Sequence, residues 1–368
     1  MLRALTLARK GQGLVSPNPA VGAILVNRGK IIGEGWHQGP GRPHAEVEAI
    51  RDAAKKGHSA RGSDLYVTLE PCSTYGRTPP CTKAIIEHQI KKVYVATADP
   101  NPQHAGRAFK LLKDQGIEVH EGLCGQQAVE LNAGFNHWIV DQTPLVTLKT
   151  AMTLDGKIAT NEGRSQWITG LRARKEVMKM RVRHDAILVG IETVLQDNPS
   201  LTARVGKELT QDHPKKELRR IVLDTHARTP TESRLCTDAN AHLTTIAVSK
   251  HAPAKRIKAL QKKVEVWMLP TRKGHVSLKS LLNRLGKSDI TSLLVEGGGQ
   301  VNGAFIDQRL AHRIAFFYGP KILGGADSRP AVGGDGFDSP TTFPRLSETR
   351  WQKLGPDLLL TANIHNPS

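Results

Sequence analysis

Aromatic residues are scarce in this chain, at 4% of 368 residues. A protein that tracks single-stranded nucleic acid needs rings on which successive bases stack, and there is little material here to build them. Acidic residues are also in deficit, 34 against 52 Lys and Arg, which leaves a formal net charge of +18. That balance calls for an anionic partner. Because the basic residues are dispersed, we expect a small phosphorylated ligand and no nucleic acid. The densest basic run, Lys255-Arg256-Ile257-Lys258, falls on an amphipathic helix. Only four cysteines are present, Cys72, Cys81, Cys124 and Cys236, too few and too scattered for a disulfide framework. Cys124 and Cys236 have no ligand-like neighbours and read as ordinary thiols. No apolar run approaches the roughly 20 residues that span a bilayer, so no membrane partner is expected. The first 13 residues alternate apolar and basic types and lack a signal-peptide h-region. The expected location is the cytoplasm.

What is present is an alternation of strands and helices that restarts after one polar boundary, without an internal repeat. The length favours two domains. In the first half a helix is expected over Leu2–Lys10, a hairpin over Val21–Val26 and Lys30–Gly35, and a helix over His44–Lys56. That helix should bury Ala45, Ala49 and Ala53 on one side and Val47, Ile50 and Ala54 on another. A strand at Leu65–Leu69, a helix at Pro80–His88 and a strand at Lys92–Ala96 follow. The half closes with a helix near Arg107–Gln115, a strand Ile117–His120 and one long helix Gly125–Val140. Strands interleaved with helices imply a sheet covered by helices. The polar, Pro-containing stretch Asp141-Gln142-Thr143-Pro144 marks the boundary between domains 1–141 and 145–368. Beyond it strands are expected at Leu145–Ala151, Ala186–Val189, Ile221–Leu223, Thr244–Val248, Val264–Met268, Ser292–Val295 and Arg313–Tyr318. Helices are expected at Leu171–Arg183, Pro253–Lys262, Leu278–Leu285 and Val301–Gln308.

The most informative residues are Pro43-His44-Ala45-Glu46 and the stretch from Pro71-Cys72 to Pro79-Pro80-Cys81. One imidazole and two thiolates suit zinc, and three protein ligands leave a fourth tetrahedral position open, the mark of a catalytic site. Zinc lowers the pKa of water at that position to about 7. His44 and Glu46 lie two residues apart on the first turn of a helix and point in different directions, so one binds metal while the other stays free. A carboxylate so placed takes a proton from water and returns it to a leaving amine. The zinc deaminases of nucleobases are built in this way, although their short signature places two residues between the cysteines and this chain has eight. The longer loop offers Arg77 to an anion. If Cys72 lies near a helix N-terminus, the dipole helps to hold its thiolate.

Taken with the rest of the chain, these motifs resemble the bifunctional deaminase/reductase of riboflavin biosynthesis. The resemblance is carried by Ser16-Pro17-Asn18-Pro19-Ala20-Val21-Gly22, the His-Ala-Glu segment, the long loop between cysteines, and Asp99-Pro100-Asn101-Pro102. It continues through Leu148-Lys149, Leu154-Asp155-Gly156-Lys157, Ser165-Gln166-Trp167-Ile168-Thr169, Thr193-Val194-Leu195 with Asp197, Leu201-Thr202-Ala203-Arg204, and Val295-Glu296-Gly297-Gly298-Gly299. It implies a cytidine-deaminase-like three-layer α/β domain followed by a dihydrofolate-reductase-like α/β domain. It also implies two reactions. The first is hydrolytic deamination of 2,5-diamino-6-(5-phosphoribosylamino)pyrimidin-4(3H)-one; the second is reduction of the product's ribosyl group to ribityl by NADPH.

The same resemblance maps substrate contacts to Asn18, Ser165, Arg181, Leu201, Arg204 and Glu296. Cofactor contacts map to Ala151, Trp167, Thr193, Asp197, Thr225 and the stretch Gly298, Gly299, Gln300, Val301, Asn302, Gly303 and Ala304. Thr74 stands where many members have His. Arg181 and Arg204 would clamp a phosphate by charge-assisted hydrogen bonds. Lys149 and Asp197 are candidates for polar help at the reacting carbon. Gly297-Gly298-Gly299, between an apolar strand and a helix, lets the backbone approach a phosphate at a helix N-terminus. Because Asn302 stands where a third Gly would be, the segment does not support a Rossmann fingerprint, and a nucleotide site of another kind stays open. A homo-oligomer is expected. Two other readings stay open: a tRNA or nucleobase deaminase with an appended nucleotide-binding domain, and a binding protein whose zinc is structural.

Overall fold

The computed structural model describes residues 1–75, 79–102, 104–203 and 217–366. Arg77 and Arg204 lie outside the described residues. The chain divides into two compact units, Met1–Gln142 and Thr143–Ser368, and each is a mixed α/β structure. No described helix is long and apolar enough to cross a membrane.

In the first unit the order is α1 (Leu2–Ala8), β1 (Gly22–Asn27), β2 (Lys30–Trp36), α2 (Ala45–Lys55), β3 (Asp64–Val67), α3 (Cys81–Glu87), β4 (Lys92–Val95), α4 (Arg107–Asp114), β5 (Glu118–Glu121), α5 (Gly125–Leu131) and α6 (Ala133–Asp141). The five strands form one sheet in the order β2-β1-β3-β4-β5. β1 is antiparallel to both of its neighbours, and β3, β4 and β5 run parallel. One face packs Ala23, Leu25, Leu65, Val67, Val93 and Val95 against Ala45, Ala49 and Ile50 of α2, Ile85 of α3, and Phe109 and Leu112 of α4. The other face carries Ile24 against Ala4 and Leu7 of α1, which completes three layers. α2 lies close against β2 because Gly33 and Gly35 leave room. A Cβ at Gly33 would stand 2.2 Å from the Ala49 carbonyl oxygen, and one at Gly35 2.3 Å from that of Ala45.

Two details differ from the sequence expectation. Ala54 is exposed, because the buried stripe of α2 runs through Ala45, Glu46, Ala49, Ile50 and Ala53. The long C-terminal helix is broken at Asn132 into α5 and α6. The Asn132 side chain accepts from the Ala20 N–H (2.8 Å) and donates to the Ala20 carbonyl (3.0 Å). An Asn that serves a distant backbone in this way competes with helical continuity.

The second unit contains β6 (Leu145–Thr153), β7 (Lys157–Ala159), α7 (Leu171–Arg183), β8 (Ala186–Gly190), α8 (Ile191–Asp197), β9 (Arg219–Leu223), α9 (Arg234–Thr237), β10 (Thr244–Ser249), α10 (Ala254–Gln261), β11 (Glu265–Leu269), β12 (Thr271–Arg272) and β13 (His275–Val276). It continues with α11 (Leu278–Lys287), β14 (Ser292–Val295), α12 (Gly299–Asp307), β15 (Arg313–Gly319), β16 (Arg329–Pro330), β17 (Arg345–Leu354) and β18 (Asp357–His365). Nine strands make its main sheet, in the order β11-β10-β9-β8-β14-β6-β15-β18-β17. β11 through β15 are parallel, and β18 and β17 add antiparallel to the edge. The apolar cluster on one face includes Leu281 and Leu285 of α11 and Phe305 of α12; the one on the other includes Val194 of α8 and Ile257 and Leu260 of α10. From β6 the strand order moves one way to β8 and beyond, and from β14 it moves the other way to β15. In open parallel sheets, ligands bind beyond the carboxyl ends of the strands at such a reversal.

The β17–β18 hairpin and α8 carry no expectation from the sequence. β17 is exposed along nearly all its length, so it lacks the alternation that betrays a half-buried strand.

A candidate deaminase centre and a candidate reductase centre

In the first unit, α2 ends in an extended N-cap residue, His44 (φ −74°, ψ 164°), so its imidazole stands at the helix mouth. Cys81 is the first residue of α3 and follows the extended Pro80. The His44 Nδ1 atom lies 3.1 Å from the Cys81 Sγ and 3.4 Å from the Cys72 Sγ. The ligand atoms of the three residues all lie within 4.8 Å of one another, and an imidazole with two thiols is a donor set that suits zinc. The Cys81 backbone N–H donates to the Cys72 sulfur across 3.2 Å, so Cys72 does sit at the start of a helix. The Cys72 thiol is held down at about 4, chiefly as acceptor of the Cys81 thiol proton and further by His44, against the effect of burial. As the donor of that bond, Cys81 is pushed well up.

Glu46, in the first turn of α2, is 3% exposed. Burial pushes its carboxyl up to about 7, the Cys72 charge adds to this, and His44 opposes it. A buried carboxyl beside a set of candidate metal ligands fits a proton carrier. Asn18, quoted in the sequence as a substrate contact, donates from Nδ2 to His37 Nε2 (2.9 Å), and His37 Nδ1 donates to the Pro43 carbonyl (3.1 Å). The His37 and His44 rings meet edge to face, 5.3 Å between centroids. Burial lowers the His37 pKa, which keeps this ring neutral and the relay intact. His37 went unnoticed in the sequence; a lone histidine closing an apolar strand was the available signal.

Beside Cys72 lies a cavity of about 90 Å³ lined by Glu70, Pro71, Cys72, Ser73, Thr74, Asp99 and His104. Thr74 is thus on its wall, and burial raises the Asp99 carboxyl.

In the second unit three sequence-marked residues converge. Lys149 on β6, Arg181 on α7 and Glu296 just beyond β14 form a partly buried ion cluster. Arg181 donates through Nε (2.7 Å) and Nη2 (3.1 Å) to the two oxygens of Glu296, and Lys149 donates to Glu296 Oε2 at 3.2 Å. Burial alone would raise the Glu296 carboxyl, but Lys149 and Arg181 outweigh it and hold it at about 2. Arg181 Nη1 also donates to the Thr202 carbonyl (3.0 Å), so among the described residues one hydrogen on each terminal nitrogen has no acceptor.

The residues mapped to a cofactor cluster where the sheet geometry leads one to look. Thr193 is on α8 directly after β8, Thr225 follows β9, Gly298 follows β14 as the N-cap of α12, and Ala151 lies within β6. The glycines are not equivalent. A Cβ at Gly299 would meet the Pro330 carbonyl oxygen at 2.3 Å, and one at Gly303 the Gly333 carbonyl oxygen at 2.0 Å, so both serve close backbone packing; at Gly298 a Cβ would meet nothing within 4 Å. Of that stretch, Gln300 is exposed, and Val301 and Ala304 pack on the core cluster of α11 and α12. Asn302 is fully buried; it donates to Thr150 Oγ1 (2.9 Å) and to the Ala331 carbonyl (2.8 Å). Thr225 Oγ1 accepts from the Val276 N–H. Trp167 is 62% exposed, with the Arg174 guanidinium 4.3 Å from its ring centroid. Asp197 closes α8 and is exposed, Ser165 is half-buried, and Leu201 is buried.

The two units therefore define a zinc-type deaminase domain joined to an α/β reductase-type domain. Residues 1–97 match the cytidine and deoxycytidylate deaminase zinc-binding region, and residues 144–360 match the RibD C-terminal domain. The chain is 42% identical over 364 residues to the riboflavin biosynthesis protein RibD of Bacillus amyloliquefaciens, covering 98% of this chain and 95% of that one. A solved Acinetobacter baumannii RibD superposes with a TM-score of 0.85 at 33% identity, over 99% of this chain and 98% of that chain. The solved diaminohydroxyphosphoribosylaminopyrimidine deaminase/5-amino-6-(5-phosphoribosylamino)uracil reductase of Thermotoga maritima gives 0.83 at 37% identity, over 99% and 97%. The chain belongs to the RibD family of riboflavin biosynthesis, proteins that unite a deaminase and a reductase.

Proposed function

We propose that this chain performs both reactions named by its Thermotoga relative, with residues 1–141 as the deaminase and 145–368 as the reductase. The observation that carries the first is the convergence of His44, Cys72 and Cys81 beside buried Glu46. The three would hold one zinc ion, which when bound supplies Lewis-acid activation of water. Glu46 takes a proton at its carboxylate and delivers it to the amino nitrogen of the pyrimidine as ammonia leaves. Asn18, steadied by His37, offers its amide oxygen to the ring. Arg77 is assigned to the phosphate in this first site by its place in the loop between the cysteines, and Arg204, with Arg181, to the phosphate in the second.

In the second reaction the hydride comes from NADPH, so the protein's task is orientation and electrostatics. Open space at Gly298, at the N-terminus of α12, supports close approach of a cofactor phosphate there. Lys149 and Asp197 are assigned polar help at the reacting ribosyl carbon. Lys149 is oriented by Glu296, and the remaining hydrogens of Arg181 are assigned to substrate. Ser165, Leu201, Ala151, Trp167, Thr193 and Thr225 complete the assigned walls of this site. The substrate is a small phosphorylated pyrimidine, and the working form is a homo-oligomer in the cytoplasm.

Purified protein incubated with the diamino substrate should release ammonia without NADPH. NADPH oxidation should appear only after deamination or with the deaminated product supplied. Deamination of tRNA without turnover of the phosphoribosyl pyrimidine would overturn this reading.

A further inference from the structure

The residue two positions before the first cysteine of the zinc cluster makes three hydrogen bonds that the proposed chemistry does not use. Glu70 is 6% exposed, and its carboxylate meets backbone rather than solvent. Oε2 accepts from the N–H of Asp99 and of Gly106, both at 3.0 Å, and Oε1 accepts from the N–H of Ala108 at 3.0 Å. Its own N–H donates to the Thr97 carbonyl at 2.9 Å. Both ends of the turn between β4 and α4 are thereby fastened to one side chain. Gly106 is the N-cap of α4, and no side chain of its own helix caps it. Glu70 serves as that cap from a distant segment and places its carboxylate where the helix dipole favours an anion.

The fastened turn carries Asp99 and His104, which line the cavity beside Cys72 and Thr74. Glu70 lines the same cavity from the cysteine side. One carboxylate therefore sets the spacing between the metal-ligand segment and the opposite wall. We propose that Glu70 is a positioning residue of the deaminase, fixing the wall formed by Asp99 and His104 at the distance a phosphoribosyl pyrimidine requires; this rests on the deaminase reading above. It makes no proton transfer and holds no metal. Its carboxylate form is needed because all three partners are donors. In Glu70→Gln a single amide oxygen replaces two acceptors, so either the Ala108 bond or the Asp99 and Gly106 pair survives, and an NH₂ group faces the donors left over.

The test compares wild type, Glu70→Gln and Glu70→Asp as full-length zinc-loaded protein. Ammonia release from the diamino substrate is followed as kcat and KM, with zinc per chain and NADPH oxidation on the deaminated product as controls. A displaced wall weakens binding without touching the reacting centre. Glu70→Gln should therefore raise KM about tenfold or more, the scale of a lost hydrogen bond to a charged group, while kcat stays within about threefold and zinc is retained. Glu70→Asp, which keeps the charge on a shorter arm, should fall between the two. In wild type, amide hydrogen exchange should find the N–H groups of Asp99, Gly106 and Ala108 protected. An unchanged KM with zinc in place would overturn the proposal, as would rapid exchange at those amides. Loss of zinc or of folded deaminase domain in both variants would make Glu70 structural and overturn it equally. A wild-type chain that binds zinc yet releases no ammonia would count against the deaminase reading itself.

Discussion

The sulfur of Cys72 and the backbone nitrogen of Cys81 are 3.2 Å apart, joined by a hydrogen bond that spans the long loop between them. That bond closes the loop at its base and sets both thiols facing His44. The pair is preorganised, so metal entry does not have to gather distant ligands. Removing either sulfur should abolish tight binding. Cys72→Ser or Cys81→Ser is expected to lower zinc from one per chain to well under half, with deaminase activity lost and NADPH oxidation on the deaminated product retained. Metal analysis alongside the two assays checks this.

Glu46→Gln removes the proton carrier and leaves the three ligands. Deamination should fall by roughly 10²- to 10⁴-fold, with zinc content unchanged. A variant that kept wild-type ammonia release would leave Glu46 without a role.

Three of the glycines after β14, Gly298, Gly299 and Gly303, separate packing from binding. Gly303→Ala pushes a methyl group into the Gly333 carbonyl, and Gly299→Ala pushes one into that of Pro330. Each should destabilise the second unit by about 1–3 kcal/mol, the range for overpacking. Gly298→Ala meets open space and should leave the unfolding midpoint unchanged while weakening NADPH binding. Thermal unfolding and cofactor titration of the three variants distinguish the two effects. An unchanged NADPH affinity in Gly298→Ala would remove the phosphate from that position.

Stability at low pH should report Glu296. Its carboxyl is held at about 2 in the fold against 4.5 ordinarily, because Lys149 and Arg181 outweigh burial. A carboxyl depressed in this way stabilises the fold fully above its unfolded value, and the benefit is lost as pH falls from about 4.5 toward 2. Wild type should therefore lose more unfolding free energy across that window than Glu296→Gln does. At neutral pH the variant should be the less stable, since two partly buried cations lose their shared anion. Parallel pH profiles in urea would refute this.

What the sequence made legible follows from which features are local. Strands β8, β10 and β14 are buried throughout, and the apolar residues at their centres marked them in the sequence. The spacing of His44, Glu46, Cys72 and Cys81 survived into space because α2 and α3 start at those residues. The break at Asn132 was not legible, because its cause is Ala20, far away in the chain. Nor was the Lys149–Glu296–Arg181 cluster visible as a unit; β6, α7 and the end of β14 meet only once the sheet is ordered. Gly299 and Gly303 carry a constraint the sequence did not show: a Cβ on either would meet backbone atoms of Pro330 or Gly333.

The position of β6 bears on the order in which the molecule is made. It is the first strand of its unit to leave the ribosome, yet it pairs on one side with β14, beginning at Ser292, and on the other with β15, beginning at Arg313. The deaminase unit, complete by Gln142, can close while synthesis continues, since domains fold as units and the N-terminal one first. β6, with its buried Val146 and Leu148, must wait unpaired for most of the remaining chain, and such long-range parallel pairing is slow to form. A stalled or truncated translation product should therefore carry a competent deaminase followed by an aggregation-prone tail.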